Sequence, residues 1–186
     1  MTTSQPTTTQ PTTGEPTTAF HSYAAGRLER WPVTMTALTT HDTKRSEDVR
    51  ARLMVLASDA AGWEQWVRAA SALGTVHRSA LVDAPTEYLV WQTLVGTWPI
   101  TAARLEEYVL KAVREAKLHT AWVDGDDAYE QAVVDFATGV LRDDAVRAHL
   151  DEWVVAHADS MRANVLGQKV VQLLMPGVAD VYQGTE

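Results

Sequence analysis

The densest group of polar side chains follows a short Thr-rich segment, at residues 41–52. It opens with a histidine beside an aspartate, a pair that can hold a metal ion or form hydrogen bonds to a polar substrate. Its members are His41, Asp42, Lys44, Arg45, Glu47, Asp48, Arg50 and Arg52. Charge runs are usually solvated faces, so the residue types alone leave two interpretations open: a functional site, or an ordinary polar start of a helix.

The elements on either side of this group are compatible with both interpretations and do not decide between them. Residues 33–40, VTMTALTT, are rich in Thr, Val and Leu, which is typical of a short strand. Ser46 is a predicted N-cap, and two acidic residues fall in the first turn after it, where the helix dipole favours anions. In α/β barrels, catalytic residues collect where a strand leads into a helix. This placement draws attention to His41 and Asp42.

Helical periodicity dominates the rest of the chain up to Met175. The last part is predicted to form two helices, around 145–156 and 160–175, and Pro176-Gly177 ends them. Four tryptophans lie on apolar helical stripes and are predicted to pack in a core rather than to contact a ligand: Trp63, Trp66, Trp91 and Trp153.

A second short segment, VADVY, is β-prone and follows these helices. The predicted fold is therefore mostly α, with β structure confined to 33–40 and 177–182. Two isolated strands so far apart are not expected to make a sheet by themselves, and each has the character of a strand whose sheet partners are missing.

Composition excludes several classes of protein. The chain has 186 residues, 46% hydrophobic and 22% charged, with a formal net charge of −8, which argues against a nucleic-acid partner. It has no cysteine, so disulfides and thiolate chemistry are excluded. No apolar run could span a bilayer, and a cytoplasmic location is expected. Residues 1–18, rich in Thr and Pro, are expected to form a disordered leader.

Four separated segments resemble maltooligosyltrehalose synthases, members of the α-amylase superfamily of glycoside hydrolases. They are RWPVTMTALTT, TTHDTKRSEDVRAR, KAVREAKLHTAWVDGDDAYE and VLGQKVVQLLMPGVADVYQGTE, in that order. The resemblance covers the chain from about Phe20 to Glu186. Ala179 and Gly125 stand where this family usually has proline, and neither departure undermines the assignment.

The resemblance implies a fold and a domain organisation. Residues 19–57 are similar to a barrel segment with the seventh strand and the His-Asp motif, 58–175 to a helical insertion, and 176–186 to the eighth strand. The chain would then be a helical insertion flanked by two orphan strands of an incomplete (β/α)8 barrel, in a C-terminal fragment of the family.

The resemblance also implies an activity: isomerisation of the reducing-end α-1,4 bond of a maltooligosaccharide to an α,α-1,1 bond, by intramolecular transglucosylation. Asp42 is similar to the third catalytic acid, which stabilises an oxocarbenium-like transition state. The implied substrate-binding residues are His41, Lys44, Arg45, Tyr182, Gln183 and Glu186. No metal or organic cofactor is implied. Besides the substrate, the implied partner is the missing N-terminal barrel portion.

The segments that carry the family's nucleophile and acid/base have no counterpart here, so the isolated chain is expected to be inactive. Two other functions remain open. A helical module could bind a protein partner without catalysis. A His-Asp metal phosphohydrolase could use His21, His41 and Asp42, but His41 and Asp42 follow a β-like segment rather than lying within a helix.

Overall fold

The computed structural model describes residues 16–182, which are mostly helical, as the sequence predicts. The helices are α1 (Pro16–Arg30), α2 (Glu47–Ser58), α3 (Ala60–Gly74), α4 (Ala84–Thr97), α5 (Ala102–Ala116), α6 (Asp127–Arg142) and α7 (Asp144–Leu174), and the strands are β1 (Met35–Ala37) and β2 (Val178–Asp180). None of these helices is both long and apolar enough to cross a membrane.

The described residues divide into two compact units. One, called here the strand unit, contains residues 16–43 and 168–182. The other, the helical unit, contains residues 44–167. Each is described separately below.

Capping side chains fix where the helices of the helical unit begin. The predicted N-cap Ser46 is confirmed, since its hydroxyl accepts a hydrogen bond from the backbone N–H of Val49. Four other helices begin in the same way, at Asp59, Asp83, Thr101 and Asp126. A cap of this kind contributes about 1 kcal/mol, because it satisfies a backbone donor that the helix leaves unpaired.

The core of the helical unit is built on aromatic side chains. All four tryptophans assigned to the core are buried, which confirms that prediction: Trp63, Trp66, Trp91 and Trp153. The rings of Trp63 and Trp66 stack with their centroids 5.0 Å apart, and Trp66 meets Trp91 edge to face. Offset and edge-to-face contacts of this kind add specific geometry to the apolar burial.

The strand unit contains one two-stranded parallel sheet. β1 pairs with β2 in the register Met35↔Val178 to Ala37↔Asp180. The prediction that the two strands would stand alone is therefore wrong: the 142 residues from Thr36 to Val178 fold back so that the strands pair directly. Each strand is also shorter than predicted, because regular pairing extends over only three residues.

Two helix boundaries also differ from the sequence-based expectation. α1 begins at Pro16, so residues 16–18 of the expected leader are helical, and residues 1–15 lie outside the described part. Proline is well suited to a first helical turn, because the N–H it lacks would have no partner there. α7 is one helix rather than two, since the residues around Asp159 include no proline or glycine that would end it.

Gly177 makes the turn into β2 possible. Its φ of +132° is unfavourable for residues with a side chain, and a Cβ at this position would lie 2.6 Å from the carbonyl oxygen of Thr34. The next residue, Val178, donates its backbone N–H to that same oxygen over 2.9 Å. The backbone just before β1 therefore approaches this turn too closely for a residue with a Cβ.

Gly177→Ala is expected to destabilise the strand unit by about 1–3 kcal/mol, because it adds both backbone strain and a clash. Amide hydrogen exchange at Val178 measures this directly. The matched control is Gly167→Ala, where a Cβ meets nothing within 4 Å and the effect should be neutral or slightly stabilising. Equal exchange rates in the two variants would contradict the assignment.

Candidate functional site

The His41–Asp42 pair lies in a single 3-10 turn, His41–Thr43, beyond the end of β1. The hydroxyl of Thr40 accepts the N–H of Asp42 over 3.3 Å, and the Thr40 carbonyl accepts the Thr43 hydroxyl over 2.8 Å. These bonds set the direction of the turn. It presents both side chains to solvent: that of Asp42 is 75% exposed, and His41 Nε2 lies 3.4 Å from Asp42 Oδ1.

This position agrees with the expectation that Asp42 follows a strand and is not enclosed by apolar neighbours. It does not fit the phosphohydrolase alternative, because the pair lies in a turn and not within a helix. Among residues 16–182, no group of three or more His, Asp or Glu side chains is arranged to hold a metal ion.

Tyr182 follows the other strand of the same sheet. It lies two residues past Asp180, the end of β2, and its side chain is exposed. Because β1 and β2 are parallel, the segments carrying Asp42 and Tyr182 leave the sheet at the same edge. The other two predicted residues after β2, Gln183 and Glu186, lie outside the described residues.

Gln172 of α7 supports this edge of the strand unit, and the sequence analysis missed it. Its amide nitrogen donates to the carbonyl of Thr36 in β1 over 3.0 Å and to that of Asp180 in β2 over 2.9 Å. Its side-chain oxygen accepts from Lys169 Nζ over 2.9 Å. The only signal in the sequence is a polar residue inside the apolar run VVQLL, and a buried amide of this kind needs partners.

In the helical unit, Arg45 lines a cleft. Its guanidinium donates to the Tyr108 hydroxyl over 3.1 Å and to Gln92 Oε1 over 3.4 Å. The cleft has a volume of about 110 Å³ and is lined by Lys44, Arg45, Ser46, Val49, Thr93, Thr97, Ile100, Arg104 and Tyr108. Arg45 thus has a positioning partner on each of α4 and α5.

Lys44 has an unusual backbone conformation at the boundary of this cleft. Its φ of 63° is in the left-handed region, which costs a residue with a side chain roughly 1–3 kcal/mol. Its ammonium lies 3.3 Å from Glu115 Oε2. Lys44 is the first residue of the helical unit and lies two residues before the N-cap Ser46.

Asp48 lies in the first turn of α2, as expected. It lines a neighbouring cavity of about 220 Å³ together with Arg52. Burial lowers the pKa of Arg52, and the charge of Asp48 opposes that effect. The Arg52 guanidinium donates to the Trp98 carbonyl over 2.8 Å. The charge of Asp48 therefore interacts favourably with the N-terminus of α2 and raises the pKa of Arg52 against the effect of burial.

A second polar group of the helical unit surrounds Glu130, which is buried. Arg114 donates to both of its carboxylate oxygens, over 2.9 and 2.5 Å, and the Thr120 hydroxyl donates over 2.6 Å. These hydrogen bonds, that from Arg114 first, lower the pKa of Glu130 to about 2. The carboxylate is therefore ionised throughout the physiological range.

Comparisons with known proteins place this arrangement in a class. No family model matches the chain. A solved "DSM5389 glycosyltrehalose synthase" is similar to 90% of the chain at 33% identity and a TM-score of 0.80, over 22% of its own length. The helices and the strand pair are thus similar to those of one part of that synthase.

Two further relatives are described as maltooligosyltrehalose synthases. The maltooligosyltrehalose synthase of Arthrobacter ramosus is 39% identical over 90% of the chain, with a TM-score of 0.77, and 21% of that structure is covered. A Mycobacterium tuberculosis protein described as a maltooligosyl trehalose synthase is 39% identical over 175 residues. The predicted resemblance is confirmed: the chain is related to maltooligosyltrehalose synthases and is similar to their C-terminal region. It spans about a fifth of their length.

Proposed function

We propose that this chain provides the third catalytic acid of a maltooligosyltrehalose synthase. The reaction isomerises the reducing-end α-1,4 bond of a maltooligosaccharide to an α,α-1,1 bond by intramolecular transglucosylation. The single observation that carries the proposal is the exposed Asp42 carboxylate in a rigid turn after β1, within a chain 39% identical to a solved synthase. In this proposal β1 and β2 are the seventh and eighth strands of a (β/α)8 barrel of the α-amylase type.

The other predicted site residues have different parts in this proposal. His41 donates a hydrogen bond to sugar hydroxyls beside Asp42, and Tyr182 lines the same edge of the strand unit. The contacts of Arg45 with Tyr108 and Gln92 favour a role in positioning its own segment of the chain. In this proposal a sugar contacts Arg45 at the open side of the cleft. Gln183 and Glu186 remain candidates by resemblance alone, and a cytoplasmic location is part of the same proposal.

The exposed apolar side chains of the strand unit are an argument for a partner that covers them. Its described residues include no buried apolar side chain: the buried ones are Thr39 and Gln172, both polar. Large apolar side chains are exposed there instead, among them Phe20, Tyr23, Leu28, Trp31 and Val181. A unit of this kind gains little from the hydrophobic effect by itself. The proposed partner is the part of the synthase that the chain does not span.

A retaining reaction at an anomeric carbon needs a nucleophilic carboxylate and an acid/base carboxylate about 5–5.5 Å apart. In this proposal both come from that other part of the synthase. The chain alone is then expected to convert no maltopentaose, because it holds the stabilising acid without the two groups that make and break bonds.

A chimera tests the proposal. In the A. ramosus synthase, the region that aligns with this chain is replaced by residues 20–186, and loss of reducing ends from maltopentaose is measured. We expect a non-reducing product from the chimera and none from residues 1–186 alone. A folded chimera without activity would contradict the proposal and favour the helical partner-binding module, which the exposed apolar residues of the strand unit also fit.

A further inference from the structure

Two of the seven tryptophans are left in solvent. Trp31 is 68% exposed and Trp122 is 59% exposed, whereas the other five are buried. Trp31 belongs to the strand unit, whose described residues bury no apolar side chain. Its exposure is therefore shared with the other apolar residues of that unit. Trp122 belongs to the helical unit, whose cluster of buried apolar side chains does not include it. Its exposure needs a different explanation.

The loop that carries Trp122 is held rigidly. It follows α5, and Thr120 within it is 97% buried, since only 3% of that residue is exposed. The Thr120 hydroxyl donates to Glu130 and accepts the backbone N–H of Asp126 over 3.0 Å. The N–H of Ala121 donates to the carbonyl of Asp124 over 3.1 Å. Trp122 therefore stands on a segment anchored on both sides.

The indole is also fixed from beneath. The guanidinium carbon of Arg114 lies 5.1 Å from the centroid of the Trp122 ring, within the range of a cation–π contact. Arg114 is itself held by its two hydrogen bonds to Glu130. Because the ring is already oriented, a ligand that stacks on it loses little side-chain freedom on binding.

The surroundings of the ring indicate which ligand chemistry fits. Asp124, Asp126 and Asp127 are exposed beside the loop and offer carboxylate acceptors. A flat apolar surface edged by acceptors suits a pyranose, which has an apolar C–H face and a rim of hydroxyl donors.

We propose that Trp122, backed by Arg114, is a stacking platform for a glucosyl unit of a maltooligosaccharide. Trp122 and Arg114 are not among the residues proposed for the reaction. The choice of an α-glucan as ligand rests on the proposed function, but the binding itself requires no catalysis.

Affinity electrophoresis of residues 1–186 in gels containing amylose tests the platform. We expect retardation by the sugar, its loss in Trp122→Leu, which keeps apolar bulk but no flat face, and its partial retention in Trp122→Tyr. Trp31→Leu is the matched control and should be retarded like the parent chain. Absence of retardation, or equal loss in Trp31→Leu, would overturn the proposal.

Acrylamide quenching in a Trp31→Phe background gives an independent readout, because Trp122 is then the exposed indole. Maltopentaose at millimolar concentrations should reduce the quenching, and sorbitol at equal concentration should not. If the indole is inaccessible before sugar is added, a second copy of the chain covers it and the proposal is wrong. Sugar binding combined with an inactive chimera would contradict only the proposed reaction, and an active chimera whose chain binds no sugar would contradict only the platform.

Discussion

Asp42→Asn in the chimera is expected to lower kcat on maltopentaose by on the order of 100-fold or more. The amide keeps the shape of the side chain and removes its charge. A carboxylate that stabilises a cationic transition state acts mostly on the barrier. The effect should therefore fall on kcat and kcat/KM alike, with a smaller change in KM. The measurement is the initial rate of reducing-end loss over a range of maltopentaose concentrations.

The matched control is Asp159→Asn. Asp159 is another exposed carboxylate, with its side chain 97% in solvent and an ion pair to Arg162 on the surface of α7. Exposed pairs of this kind contribute little to stability, and no reaction role is proposed for it. If both variants keep the parent kcat, Asp42 is a surface residue and the proposed role is wrong.

Glu130→Gln is expected to lower the free energy of unfolding of the helical unit by up to about 3 kcal/mol at neutral pH. This limit follows because folding lowers the pKa of Glu130 from 4.5 to about 2. The folded-state pKa lies below the unfolded one, so the contribution is complete above about pH 4.5 and is lost as the pH falls towards 2. The stabilities of the parent and the variant should therefore converge in that range. Urea unfolding followed by far-UV circular dichroism at several pH values measures both.

Glu64→Gln provides the comparison for this effect. Glu64 forms an exposed i, i+4 pair with Arg68, which should contribute only a few tenths of a kcal/mol. A stability difference for Glu130→Gln that stays constant down to pH 2 would show that the loss comes from packing and not from the ionised carboxylate.

Local signals in the sequence predict most of the helices and the four core tryptophans. Ser46 is a cap because its oxygen and the N–H that it accepts are three residues apart, and the buried tryptophans follow the helical period. The pairing of β1 with β2 has no local signal, because the partner strand lies more than a hundred residues away. The continuity of α7 was not predicted, because the polar residues around Asp159 interrupt the apolar pattern and resemble a break between two helices.

The candidate site likewise combines features that have local signals in the sequence with features that depend on distant contacts. The exposure of Asp42 follows from its place after a strand and among polar neighbours. The left-handed Lys44 and the partners of Arg45 on two other helices depend on contacts far apart in sequence. Gln172 is the clearest case, because its importance is visible only when both strands are in place.

Gln172 also determines the alignment of the two strands. A pairing of three residues by itself tolerates slippage, and a shift of one residue turns every side chain to the opposite face. One amide nitrogen that binds a carbonyl of each strand is compatible with a single alignment. The distance along the sheet between the segments of Asp42 and Tyr182 is therefore set by a helix that contributes neither residue. If the proposed function is right, substitutions in this part of α7 change how the substrate is aligned without touching it.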